Sequence, residues 1–372
     1  MEEQAIQTLA TQVLWAGFAL SVLLGALVQR THFCTMGAVA DIVSMGSWAR
    51  MRMWVLAMGV AVLGFNAMVG LGWLQAANSI YAAPRLLWAS HALGGLMFGV
   101  GMVLASGCGG KTLVRMGGGN LKSLVVFLVM GVAAYATLRG ITGVLRVATV
   151  EQWALELGRG QDLPSLLAPA LGREARALAP WLGGLLGGAL VLWALARAEG
   201  RSREVLLGGV GVGAVIAAVW WVSGVMAFVP EHPQTLEPAF LGSSNTQRME
   251  ALSFVSPVAA TLDWLMLYSD RSRGLNLGIV SVLGMVLGSA LHALATRRFR
   301  WEGFRSTEDL GRHLVGALLM GVGGVVAMGC TIGQGLSGLS TLSLGSAITL
   351  VFIVAGAALT LRWEARRLER LL

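Results

Sequence analysis

The chain has 372 residues, 56% of them hydrophobic and only 12% charged, with a mean hydropathy of +0.72. A soluble globular protein carries about 25% charged residues, so the composition excludes a water-soluble fold. It points to an all-α polytopic membrane protein of about nine spans, each of about 20 apolar residues. The net charge of +8 does not indicate a nucleic-acid partner, because the arginines lie between apolar segments, where a cytoplasmic loop bias accounts for them.

The first apolar span covers 9–28. It opens behind Glu2 and Glu3 without a basic leader region, so it reads as a retained span and not as a secretory signal. Residues 30–41 break it, 42–48 form a short amphiphilic piece, and 53–74 form the second span. A third span, 86–106, runs into Gly107-Cys108. Residues 109–120 are too polar and glycine-rich to face lipid, so they must be buried or line a cavity. The fourth span is 121–138. Residues 139–179 are the longest polar connection and read as a surface segment. Spans follow at 181–196 and 205–229, then a polar, proline-containing stretch and an interrupted apolar piece at 251–268. The last three spans are 275–295, 314–328 and 344–361.

Two of these spans are copies. From His91 to Cys108 and from His313 to Cys330 the spacing is seventeen, and ten of the eighteen paired residues are identical. Both copies run into Gly-Cys and then into a turn rich in small residues. The third of the three cysteines, Cys34, also sits in such a break, before Gly37, Ala38 and Asp41. No C-x-x-C pair is present, so neither a structural metal site nor a disulfide framework is expected, and no cofactor is implied. The ordinary reading of a free cysteine is a small core residue. It weakens when all three fall in glycine-rich breaks between apolar segments.

Placing the basic loops 197–203 and 297–312 and the C-terminal tail in the cytoplasm satisfies the positive-inside rule. Four short segments must then re-enter without crossing, at about 32–48, 108–120, 251–270 and 330–343. The N-terminus is outside and the C-terminus cytoplasmic. Residues 1–372 form a single membrane domain with an inverted internal repeat. Its halves are 1–146 and 204–372, and 147–203 is a connector carrying one extra span. Such inversion is common in transporters with central sites. The scheme leaves Arg271 and Arg273 outside.

A thiol is a polarisable weak donor with an ordinary pKa of about 8.5, so it is protonated at neutral pH. It suits a soft, sulfur-containing ligand. Backbone N–H groups of the turns after Cys108 and Cys330, including those at Gly109 and Gly333, are natural anion holders. Lys111 and Arg115 add positive charge beside Cys108, although both also fit as interfacial cations reaching for headgroups. Gln334 is placed to donate to an oxyanion. Asp41 reads as a structural residue of the first short helix. His91 and His313 read as interfacial starts of their spans.

These motifs resemble those of the YeeE/YedE family of bacterial inner-membrane proteins, most closely its thiosulfate-uptake branch. The matching elements are Phe33-Cys34-x-x-Gly37-Ala38 with Asp41, Gly107-Cys108 with Arg115 and Gly117 to Leu121, and Gly329-Cys330-x-x-Gly333-Gln334-Gly335 with Ser337-Gly338. The resemblance implies import of thiosulfate across the inner membrane, the ion passing by S–H···S contacts from Cys330 (outer) to Cys108 (central) to Cys34 (inner). It also implies a separate cytoplasmic partner of the TusA-like sulfur-carrier type. It implies a transporter and no enzyme. Two alternatives stand beside it: a transporter for another sulfur or selenium species, and a membrane sulfurtransferase or redox protein working through a cysteine persulfide.

Overall fold

The computed structural model describes residues 2–232, 235–244, 247–270 and 274–369. Arg271 and Arg273, which the expected topology leaves outside, fall beyond the described residues. In chain order the helices are α1 (Glu2–Thr31), α2 (Thr35–Met45), α3 (Ala49–Leu71), α4 (Trp88–Leu104), α5 (Gly109–Gly117), α6 (Leu121–Arg139) and α7 (Ile141–Ala148). They continue with α8 (Leu163–Leu171), α9 (Ala175–Leu195), α10 (Arg203–Trp221), α11 (Ser256–Met266), α12 (Leu277–Ala295), α13 (Thr307–Val326) and α14 (Leu344–Glu369). Strand structure among the described residues is confined to short pairings, Arg85–Leu86 with Leu155–Glu156 and Phe228–Val229 with Ala239–Phe240. The protein is an all-α polytopic membrane protein: nine stretches of the described residues are long and apolar enough to cross a bilayer.

Polar residues set where these helices begin. Asn120, Asp162, Ser202, Asn276 and Ser306 each accept a backbone N–H three residues on, at the starts of α6, α8, α10, α12 and α13. In an apolar solvent such caps matter more than propensity, because an unpaired N–H has no water to turn to.

Helix pairs approach through glycine. α1 packs along α12, α3 along α10 and α9, and α4 against both α13 and α14. The α4–α13 crossing is reciprocal. A Cβ on Gly94 would stand 2.7 Å from the Gly323 carbonyl oxygen, and one on Gly323 would stand 2.8 Å from that of Gly94. Gly101 and Gly316 repeat the relation, each 2.7 Å from the other's oxygen. Backbone therefore meets backbone at two points, which only glycine allows.

The structure revises one expectation and adds detail to another. Residues 139–179 are not merely a surface connection: they fold into α7 and α8, and Gln161 is buried. Gln161 accepts from Leu344 N through its carbonyl and from Gly345 N through Oε1, at 3.0 and 3.1 Å. The start of α14 needs acceptors for its first N–H groups, and the connector supplies them. His91 and His313, expected as interfacial starts of their spans, are buried in the protein and hydrogen-bonded there. His91 Nδ1 lies 2.8 Å from Thr349 Oγ1, and His313 Nδ1 lies 2.7 Å from the Asp309 carbonyl.

Candidate functional site

The three cysteines stand on three breaks of one design. Two residues before each cysteine a non-glycine residue takes the left-handed conformation: His32 (φ 52°), Ser106 (φ 57°) and Met328 (φ 58°). Such a residue carries about 1–2 kcal/mol of local strain, so three occurrences at one offset are a built feature. The two duplicated breaks also close with the same bonds. Ser106 N donates to Val103 O at 3.0 Å and Gly107 N to Met102 O at 2.8 Å; Met328 N donates to Val325 O at 3.0 Å and Gly329 N to Gly324 O at 2.8 Å. This pairing satisfies the last carbonyls of α4 and α13 and turns the chain so that cysteine is presented.

All three thiols are buried, with 8% of Cys34, 3% of Cys108 and none of Cys330 exposed. Cys34 caps α2, its sulfur accepting Gly37 N–H at 3.4 Å. Cys330 sulfur accepts Gly333 N–H at the same 3.4 Å, and Ser253 Oγ lies 4.0 Å from it. At Cys108 the corresponding N–H, that of Lys111, is turned to the thiol without closing a cap. A sulfur that accepts from the backbone keeps its own S–H as a donor. Cys108 is within electrostatic reach of both Cys34 and Cys330, so the three belong to one locus.

Cavities lie on either side of it. One of about 300 Å³ is lined by Ser253, Tyr81, Glu250, Arg139, Arg146 and Asp263. Burial pushes the Glu250 carboxyl up from its ordinary range, and bonds from Ser244 N and Oγ pull it back. Two further cavities, of about 450 and 420 Å³, share His32, Ser106, Lys111 and Arg115. Arg298 and Arg300 line the first of these; Cys34, Arg50, Ser202 and Glu204 line the second. Cys330 sits behind Ser253 of the 300 Å³ cavity, and Cys108 lies between Ser106 and Lys111 of the other two.

The residues expected from sequence are therefore brought together, with a division of labour that sequence did not show. Lys111 faces both basic cavities. Arg115 does too, and its Nη1 donates to the Ser106 carbonyl at 2.7 Å, tying charge to turn. Gly109 opens α5, where a Cβ would stand 2.9 Å from Phe254 O. Gly333 supplies the N–H at Cys330. Gln334 is used by the fold: its Nε2 donates to Ala327 O and Met328 O at 2.8 and 3.0 Å, and its Oε1 accepts from Ser346 at 2.5 Å. The segment after Cys330 is a π-helical turn, Gly333–Gly338, a distortion common at functional sites. Asp41 holds Arg50 at 2.7 Å across the α2–α3 turn. Sequence reasoning missed Tyr81, Ser253, Glu250, Arg298 and Arg300; the signal available for Ser253 was the polar interruption of the 251–268 segment.

Comparison with known proteins adds the following. Residues 30–359 match the family model described as sulphur transport. The thiosulfate transporter TsuA of Escherichia coli (strain K12) is 27% identical over 342 residues, covering 92% of each chain. TsuA of Spirochaeta thermophila is 26% identical over 357 residues, covering 92% of this chain and 97% of the relative. The probable transporter YedE of Salmonella typhimurium is 33% identical over 86 residues, 23% of this chain.

Proposed function

Since the chain belongs to the sulphur transport family, we propose that it imports thiosulfate across a bacterial inner membrane through a relay of Cys330, Cys108 and Cys34. The observation that carries this reading is the common left-handed turn that presents each buried thiol, with a separate cavity beyond Cys330 and two basic cavities by Cys34. The names of the full-length relatives, both thiosulfate transporters, support the cargo. Thiosulfate has a soft terminal sulfur for an S–H donor and oxygens for N–H and O–H donors.

The orientation follows from charge. Lys111, Arg115, Arg298, Arg300 and Arg50 cluster on the Cys34 side, with Ser202 of the 197–203 loop and Glu204 of α10 nearby. Placing that side in the cytoplasm obeys the positive-inside rule and makes Cys330 the outer thiol. The C-terminus is then cytoplasmic and the N-terminus outside. The packing of α1 on α12 and of α3 on α10, with α4 crossing α13, supports an inverted repeat of 1–146 and 204–372 in which α2, α5, α11 and the 330–343 turn re-enter without crossing.

A dianion entering a negative-inside cell moves uphill by about 2.3 kcal/mol per charge per 100 mV. Cytoplasmic consumption of the sulfur, with a TusA-like carrier as acceptor, supplies the pull. The arginine-lined mouth concentrates the ion where such a carrier would take it. No step in this scheme makes or breaks a covalent bond within the protein, and the chain acts as a transporter.

The test is growth on thiosulfate as sole sulfur source, in a host lacking its own uptake, with each cysteine changed to Ser or Ala. Wild type should rescue; each variant should fail while reaching the membrane in normal amount. Equal rescue by the variants would make the cysteines core residues and end the relay. Failure of wild type would end the cargo assignment.

A further inference from the structure

Two buried hydroxyls beside Cys330 have no hydrogen-bond partner among the described residues: Tyr81 Oη and Thr331 Oγ1. The Thr331 residue is fully buried and its hydroxyl is turned toward the Cys108 thiol. Tyr81 is 5% exposed and lines the 300 Å³ cavity, within electrostatic reach of Cys330 and Glu250. One hydroxyl thus stands on the cavity side of Cys330 and the other on the Cys108 side.

Neither is loose. Tyr81 N donates to Ser79 Oγ at 3.0 Å, Ile80 N donates to Met249 O at 3.2 Å, and the phenol ring packs edge-on against Trp220. The Thr331 carbonyl accepts from Gly335 N of the π-helical turn at 3.0 Å. Each donor is held in place by its frame; the phenol has no acceptor among the described residues, and the threonine hydroxyl has only the Cys108 thiol beside it. An orphaned buried hydroxyl is costly in a folded protein and needs a reason to persist. Burial, then proximity to Cys330 and Glu250, pushes the Tyr81 phenol far above its usual range, so it remains a proton-bearing donor at any physiological pH.

We infer that Tyr81 and Thr331 are handholds for the oxygen end of the cargo, one on each side of Cys330. The proposal rests on the thiosulfate reading above and deepens it. The ligand class is an anion with a soft sulfur at one end and hydrogen-bond-accepting oxygens at the other. Cys330 takes the terminal sulfur; Tyr81 donates to a sulfonate oxygen as the ion arrives from the cavity. Thr331 donates to one as the sulfur moves on to Cys108. The sulfur end and the oxygen end are recognised by different chemistries, and a sulfur species without oxygens gains only half of the contacts.

The experiment compares purified wild type with Tyr81→Phe, Thr331→Val and Thr331→Ser, reading thiosulfate affinity by calorimetry and the thermal unfolding midpoint of each. Loss of one hydrogen bond to an anion weakens binding by about tenfold to a hundredfold. The expected pattern is that loss for Tyr81→Phe and Thr331→Val, recovery for Thr331→Ser, and midpoints equal to or above wild type. A structural role would lower the midpoints together with affinity, and that result overturns the proposal. Wild-type affinity in both variants overturns it too, leaving the cargo reading intact. If wild type itself binds no thiosulfate, the cargo reading falls first and the handholds with it.

Discussion

Arg115 closes on the carbonyl of Ser106 at 2.7 Å, and the same carbonyl two residues before the other duplicated cysteine, that of Met328, is held by Gln334 at 3.0 Å. One turn is fixed by a cation and the other by an amide. Replacing Gln334 with Glu places a carboxylate against the Ala327 and Met328 oxygens in a fully packed interior. An unpaired buried charge costs about 3–5 kcal/mol. The variant is expected to fail in fluorescence-detected size exclusion or to unfold far below wild type, whereas Arg115→Lys, which keeps a donor, unfolds near wild type. A Gln334→Glu protein of wild-type stability would refute this account of the turn.

Lys111 faces both basic cavities. A cation placed to attract an anion contributes a bond of about 1.5–3 kcal/mol, and its reach shortens as salt rises. Lys111→Met should slow vesicle uptake of radiolabelled thiosulfate by about tenfold and flatten its dependence on ionic strength. A steep salt dependence surviving in the variant would assign the attraction to Arg298 and Arg300 instead.

The Gly94–Gly323 and Gly101–Gly316 approaches leave no room for a side chain. Gly101→Leu or Gly323→Leu must separate α4 from α13, and overpacking of this kind costs about 1–3 kcal/mol or more. Gly184 in α9 has open space where a Cβ would go. Gly184→Ala is expected to match or exceed wild-type stability, since alanine is the better helix former by about 1 kcal/mol. Thermal unfolding of the three variants in one detergent makes the comparison.

Glu250 gives a pH signature. Its carboxyl is pushed up by burial, so the folded state holds its proton at higher pH than the unfolded chain does. The neutral form is the stable one in the fold; its advantage is complete below the ordinary carboxyl value of about 4.3 and is lost as pH rises through the folded value. Glu250→Gln keeps an acceptor for Ser244 and removes the titration. The unfolding midpoint of the variant relative to wild type should therefore climb as pH rises above the ordinary carboxyl value of about 4.3. A gap independent of pH would show that Glu250 does not change charge above that value.

What sequence revealed and what it hid divide along physical lines. Hydropathy and small-residue patterning are local, so the spans, the breaks and the shared design of Gly107-Cys108 and Gly329-Cys330 were all visible. The third member of the set was visible only as a cysteine in a break; that His32 adopts the turn of Ser106 and Met328 is a backbone fact with no residue-type signature. Gln334 misled because an amide one turn beyond a thiol suits a ligand as well as it suits two carbonyls, and the choice depends on where the chain before Cys330 ends. Tyr81 and Glu250 come together through the parallel bridge of Ser79 with Met249, a pairing 170 residues apart in sequence number that no periodicity announces. The burial of Gln161 was hidden for the same reason.

The reciprocal glycine crossing also bears on the proposed relay. α4 and α13 lead into Cys108 and Cys330, and they meet backbone to backbone at the two glycine pairs. Packed interiors resist compression, so the gap between those two sulfurs is a dimension of the scaffold. Under the proposed relay that gap would act as a caliper: an ion that spans it would be handed across, and one that is too short would have to let go of the first sulfur before it reached the second.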